Sequence, residues 1–251
     1  LYLALQQQHD ELVHHQQRQL AEHEVAEQVF AKIVHRGSLD LPGIRYLISP
    51  AAIFNGDLLL AARRPSGGLH LLLGDFAGHG LPAAIGAMPV ADIFYRMTEK
   101  GYAISEIAIE INNKLRSVLP PGLFLAAGLI ELDAARRRLG VWNGGLPEVL
   151  LCDATGQVRR RLPSRHLPLG IVDSDRLDRR VEFADAADGD RLYLYTDGVI
   201  EARNAAGEMF GAGRLEQCLV EYAASARRFD ELCQCLACFR DRSAEADDTT
   251  L

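Results

Sequence analysis

Apolar positions are sparse at the start of the chain and dense afterwards, and that change divides it. From Leu1 to about Ile33, Leu5 and Leu12 stand seven apart, as do Val13 and Leu20, and the seam continues through Val25, Val29 and Ile33. Gln, His and Glu fill the intervals, and neither Gly nor Pro interrupts them. A helix this long and this polar does not bury itself in a globular core; it pairs with another copy or links domains. The stripe favours a homodimer through an interrupted coiled coil over an exposed linker helix. Residues 1–36 are therefore read as a helical linker able to form a coiled coil, and 37–251 as the globular domain.

After a loop holding Gly37, Pro42 and Gly43, short apolar runs alternate with turn residues. IRYLISP and DLLLAARR are followed by a turn at Pro65-Ser66-Gly67-Gly68 and then by LHLLLGD, a hairpin pattern. Its strands are almost continuously apolar, which predicts cover on both faces. Helices are expected from Leu81 to Lys100, with Pro82 in the first turn, and from Ser105, read as an N-cap, to Val118. LFLAAGLIELD, RLGVWNGG, EVLLCD, QVRRRL, RVEFAD and RLYLYTDG then read as strands, and Ala212–Ala224 and Phe229–Arg242 as helices. Strands, helices, strands, helices is not βαβ alternation. The fold class expected is α+β, with antiparallel sheets and helices outside.

Composition narrows the function. Apolar residues make up 48% of the 251, enough for a large core. Lys plus Arg number 27 against 34 Asp plus Glu, a net charge of −7, which argues against sequence-independent nucleic-acid binding. No signal peptide and no membrane-spanning apolar run is present, so no membrane role is expected. Five cysteines suggest no disulfide framework, and a cytoplasmic protein is the simpler reading. Cys233, Cys235 and Cys238 fall in helical FDELCQCLACF, Cys235 and Cys238 on one face, and are read as small hydrophobes. The chain starts at Leu1 rather than Met and is read as an excised fragment.

The candidate chemistry lies in carboxylates beside glycines. Asp57 follows Asn55-Gly56, Asp75 follows Gly74, Asp197 precedes Gly198, and Asp247-Asp248 stand in ADDTT. Asp75 opens a turn holding Gly78, His79 and Gly80. Such acids are expensive to desolvate alone, and no Lys or Arg lies within a few residues of Asp75 or Asp197. An oxygen-only set of this kind suits Mg²⁺ or Mn²⁺ rather than zinc or copper. His79 is read as an exposed turn residue and His166 as a loop residue. Arg63 and Arg64 are read as solvated hairpin positions. No Ser or Cys stands where a nucleophile would be convincing.

With GDFAGHG, LYTDGVIEARNAAGEMFG and DDTT in order along Leu41 to Leu251, the chain resembles the SpoIIE-like branch of the metal-dependent type 2C (PPM) serine/threonine protein phosphatases. FNGD, WNGGLP and LPLG complete the series. The resemblance implies a four-layer α-β-β-α sandwich, two antiparallel sheets face to face with helices outside, preceded by the long N-terminal helix. It implies phosphoserine or phosphothreonine hydrolysis in a protein by water activated on two Mn²⁺ or Mg²⁺ ions. Asp57 and Asp75 would bracket the pair, the Phe76 carbonyl would add a ligand, and Asp197 and Asp247 would hold one ion. Asp248 is a supporting residue or exchanges roles with Asp247. The substrate implied is a phosphorylated regulatory protein such as an anti-sigma factor antagonist. An upstream receiver or sensor domain in the same chain is also implied, making this the C-terminal output domain of a response regulator in bacterial signalling. The alternative is a catalytically weak or inactive pseudophosphatase serving as a protein-binding adaptor. Leu60 stands where the family often has a second Asp, Asn143-Gly144-Gly145 replaces a frequent Ala-Gly-His, and the chain ends one residue after Thr250, where a closing strand is expected.

Overall fold

A computed structural model describes residues 39, 41–49, 56–78, 81–240 and 248–251. Residues 1–36, where a helix is expected, together with His79 and Asp247, lie outside the described residues. In chain order the strands are β1 (Ile48–Ser49), β2 (Asp57–Arg63), β3 (Leu69–Phe76), β4 (Leu125–Leu132), β5 (Arg138–Gly144), β6 (Val149–Cys152), β7 (Val158–Leu162), β8 (Glu182–Asp185), β9 (Arg191–Tyr193) and β10 (Thr249–Thr250). The helices are α1 (Leu81–Glu99), α2 (Ile104–Val118), α3 (Asp197–Ile200), α4 (Gly211–Glu221) and α5 (Arg228–Arg240).

Side chains alternate across a strand, and here the alternation sorts leucines between layers. Leu58 and Leu60 of β2, Leu72 of β3 and Trp142 of β5 pack against α1 and α2 through Phe94, Ile107, Ile111 and Leu115. Their neighbours on the same strands, Leu71 and Leu73 among them, face the other way, toward Val149, Leu151 and Leu146. On β6 the pattern repeats: Leu150 and Cys152 meet Leu215 and Leu219 of α4 and Leu232 and Leu236 of α5. The result is helices, sheet, sheet, helices, as the resemblance implied.

One sheet is antiparallel in the order β2-β3-β4-β5-β8. The other is built from β7-β6-β9, and it continues where the Thr196 amide donates to the Thr250 carbonyl at 3.0 Å, bringing in β10 and its partner β1. The closing strand that the sequence left in question is therefore Thr249–Thr250, paired with Ile48–Ser49.

Four local expectations are corrected. The N-cap of α2 is Ala103, not Ser105; the Glu106 carboxylate reaches back and accepts from the Ala103 amide at 2.9 Å, the half of a capping box that the third helical residue supplies. RLYLYTDG is regular strand only over Arg191–Tyr193, and Asp197 opens the short helix α3, whose carbonyl accepts from the Glu201 amide at 2.8 Å. Cys235 and Cys238 do not share a buried face: Cys235 packs on the core beneath α5, while Cys238 is exposed. Arg64 is not simply solvated; it pairs with Glu131 at 3.5 Å, at the end of the hairpin remote from Asp57. Among the described residues no helix is long and apolar enough to cross a membrane.

Candidate metal centre

The hairpin register starts the site. A turn closed by Arg64 and Gly68 sets Asp57 opposite Asp75 across β2 and β3. Both acids share the strand parity of the leucines that face the second sheet, so their carboxylates are directed toward the gap between layers. From the second sheet, Thr196 meets them: its hydroxyl donates to Asp57 Oδ2 at 2.9 Å and accepts from the Thr250 amide at 3.0 Å. One threonine thus ties β2 to β10 through a buried relay.

Asp197 follows Thr196 at the start of α3, and Asp248 precedes β10. Asp248 is buried, and its Oδ2 accepts from the Gly56 amide at 2.5 Å. Gly198 lies so close that a Cβ there would stand 2.0 Å from the Asp248 carbonyl oxygen. Arg240, the last residue of α5, donates to the Gly198 carbonyl at 3.3 Å and to the Thr249 hydroxyl, which fixes α3 and β10 together.

These contacts open onto a cavity of about 280 Å³ lined by Asp75, Phe76, Ala77, Gly78, Phe124, Ala126, Gly145, Leu146, Pro147, Pro168, Asp197 and Asp248. No Lys or Arg is among the described lining residues. Glycine matters at Gly145, where φ is +100° and a Cβ would meet the Pro168 ring at 2.8 Å. This is a physical reason for the Asn143-Gly144-Gly145 run. Leu60, which replaces an acid often found in relatives, is fully buried on the opposite face of the sheet, against the helices.

Asp75, Asp197 and Asp248 therefore reach one cavity from three distant parts of the chain, Phe76 lines it beside them, and Asp57 stands one strand away. The donors are all oxygen, which fits Mg²⁺ or Mn²⁺ and not a thiolate- or imidazole-seeking ion. Among the described residues no three His, Cys, Asp or Glu side chains are gathered closely enough to hold a metal as they stand. The place of Asp247 in a ligand set falls outside the described residues. Sequence reasoning missed Thr196, Thr250 and Arg240, whose roles depend on partners 139, 54 and 42 residues away.

His166 is a loop residue, as expected, but its side chain is largely covered. It lies parallel to the Trp142 ring at 4.7 Å and bridges to Gly144 near the cavity mouth. Burial pushes its imidazole below the ordinary histidine value near 6.5, against a weaker upward pull from Asp178 at 3.9 Å. The unfolded chain accepts a proton that the folded protein resists. The stability this group contributes is thus fully present above about pH 6.5 and is lost as pH falls toward the lowered folded value. Urea titrations at pH 7.5 and 5.5 are expected to show a smaller loss of stability on acidification for His166→Gln than for the parent.

A family model described as Stage II sporulation protein E (SpoIIE) matches residues 65–251. Phosphoserine phosphatase RsbP of Bacillus subtilis (strain 168) is 27% identical over 135 residues, 52% of this chain and 33% of that protein, so the chain spans about a third of that relative's length. The SiaA-PP2C domain of Pseudomonas aeruginosa superposes with a TM-score of 0.80 at 22% identity, covering 94% of this chain and 96% of that one. RsbX, solved in complex with magnesium, superposes with a TM-score of 0.58 at 14% identity over 82% of this chain and 89% of its own.

Proposed function

This chain belongs to the SpoIIE family, and from that premise we propose that it is a metal-dependent phosphatase that hydrolyses phosphoserine or phosphothreonine in a phosphorylated regulatory protein. The observation that carries the reading is the meeting of Asp75, Asp197 and Asp248 on one cavity, backed by Asp57. In this reading Asp57, Asp75, Asp197, Asp247 or Asp248 and the Phe76 carbonyl hold two Mn²⁺ or Mg²⁺ ions. Bound there, the ions supply hydroxide near neutral pH from water and offset charge on the phosphoryl oxygens.

The chain's own residues prepare that chemistry. Thr196 fixes the Asp57 carboxylate, the Gly56 amide fixes that of Asp248, and Gly198 lets α3 and β10 approach closely enough for Asp197 and Asp248 to share the cavity. Gly145 and Pro168 form part of the wall against which a phosphoryl group would lie. The family's signalling context points to an anti-sigma factor antagonist as the substrate. It also points to control by an upstream receiver or sensor domain acting through a homodimeric helix at residues 1–36.

The reading predicts that hydrolysis of p-nitrophenyl phosphate falls roughly 100-fold or more on chelation and recovers with added Mn²⁺, a loss of several kcal/mol in transition-state stabilisation. Steady-state assays with and without a chelator check this. A parent protein with no Mn²⁺-dependent hydrolysis would favour the adaptor function instead.

A further inference from the structure

Helices α4 and α5 pack side by side over the second sheet, joined by a short loop, and each carries a cysteine at the contact. Cys218 of α4 is buried, Cys235 of α5 is partly buried, and their Sγ atoms lie 2.9 Å apart as free thiols. Two non-bonded sulfurs in ordinary van der Waals contact stand farther apart than this. Reaching disulfide length, about 2.0 Å, takes less than about 1 Å of movement. Among the described residues no other pair of cysteine thiols is hydrogen-bonded: Cys152 is buried on β6, Cys233 is partly buried and Cys238 is exposed.

We propose that Cys218 and Cys235 are a redox modification site, oxidised by a peroxide to an intramolecular disulfide that ties α4 to α5. Cys235, the more accessible thiol, reacts first. Its sulfur forms an S–O bond to hydrogen peroxide, the O–O bond breaks, and the departing hydroxide takes the thiol's proton and leaves as water. The Cys218 sulfur then attacks the Cys235 sulfur, the S–S bond forms, the S–O bond breaks, and the hydroxide leaves with the Cys218 proton as a second water. The two thiols lose two electrons and two protons between them, and one peroxide becomes two waters.

Burial raises the Cys218 thiol well above its ordinary value, which leaves the first attack on peroxide to Cys235. The cross-link braces the same helix whose last residue, Arg240, bonds the Gly198 carbonyl and Thr249 behind the acidic cavity.

Oxidising the full chain with hydrogen peroxide, alkylating it and mapping the peptides tests the proposal. The expected product has lost two hydrogens in mass, contains a Cys218–Cys235 linked peptide, and melts roughly 5–10 °C higher, as closing a loop between positions 17 apart implies. Reductant should reverse all three changes. Cys238→Ser should leave them intact, and Cys235→Ser should abolish the link and the thermal shift. A link between another pair or between two chains would overturn the assignment. So would oxidation of either thiol without any cross-link, a decision the parent protein alone allows should Cys235→Ser fail to fold.

Discussion

Replacing Asp197 with asparagine is expected to lower turnover of p-nitrophenyl phosphate at saturating Mn²⁺ by roughly 10²–10⁴-fold. Asparagine keeps the size and hydrogen-bonding reach of the side chain and removes only the charge. Asp197 lies half-exposed at the start of α3, on the wall of a cavity whose other charged described residues are Asp75 and Asp248. Taking one negative charge from a group of like charges relieves repulsion in the metal-free protein, so the melting temperature should hold or rise slightly without Mn²⁺. Added Mn²⁺ should stabilise the parent more than the variant, because an ion that binds only the folded state raises its stability in proportion to its affinity. Steady-state kinetics and melting curves with and without Mn²⁺ separate these effects. Turnover within threefold of the parent would remove Asp197 from the ligand set.

Gly198→Ala is the second large effect expected, and it acts through backbone. The added methyl would stand 2.0 Å from the Asp248 carbonyl oxygen and 3.0 Å from the Thr249 hydroxyl. A main-chain carbonyl cannot swing aside as a flexible side chain can, so β10 must move away from α3. That movement also strains the Arg240 bonds to Gly198 and Thr249. Overpacking of this kind costs about 1–3 kcal/mol. Activity should fall further than stability, because Asp248 is carried away from Asp75 and Asp197. Gly213→Ala, on α4 with nothing within 4 Å of the new methyl, is the matched control; it should be neutral or stabilising by up to about 1 kcal/mol. Urea denaturation and Mn²⁺-dependent turnover of the two variants give the comparison.

The half of the site on β2 and β3 was legible because local rules suffice. A hairpin turning at Pro65–Gly68 sets Asp57 against Asp75, and strand parity sends both toward the second sheet, away from Leu58, Leu60 and Leu72. Apolar runs too continuous for a sheet with one wet face showed that both faces would be covered, while the count of four layers came from the family resemblance. The other half depends on approach between segments far apart in the chain. Nothing near Thr196 signals that its hydroxyl will bond a carboxylate 139 residues earlier, and nothing near Gly198 signals that Asp248 will press against it. Helix and strand ends were missed for a related reason. Ala103 caps α2 through Glu106 rather than through its own side chain, and Thr249–Thr250 is a strand only because Ile48–Ser49 lies beside it. Cys218 and Cys235 belong to the same class, since adjacency across α4 and α5 has no periodic trace in the sequence.

The convergence of acids on a shared cation is tested most directly by soaking a crystal in Mn²⁺ and collecting data at the manganese absorption edge. The account predicts anomalous density in the cavity between Asp75, Asp197, Asp248 and the Phe76 carbonyl, with Asp57 directed at it. A cavity without anomalous density at a Mn²⁺ concentration that supports turnover, or manganese bound only elsewhere on the molecule, would contradict it.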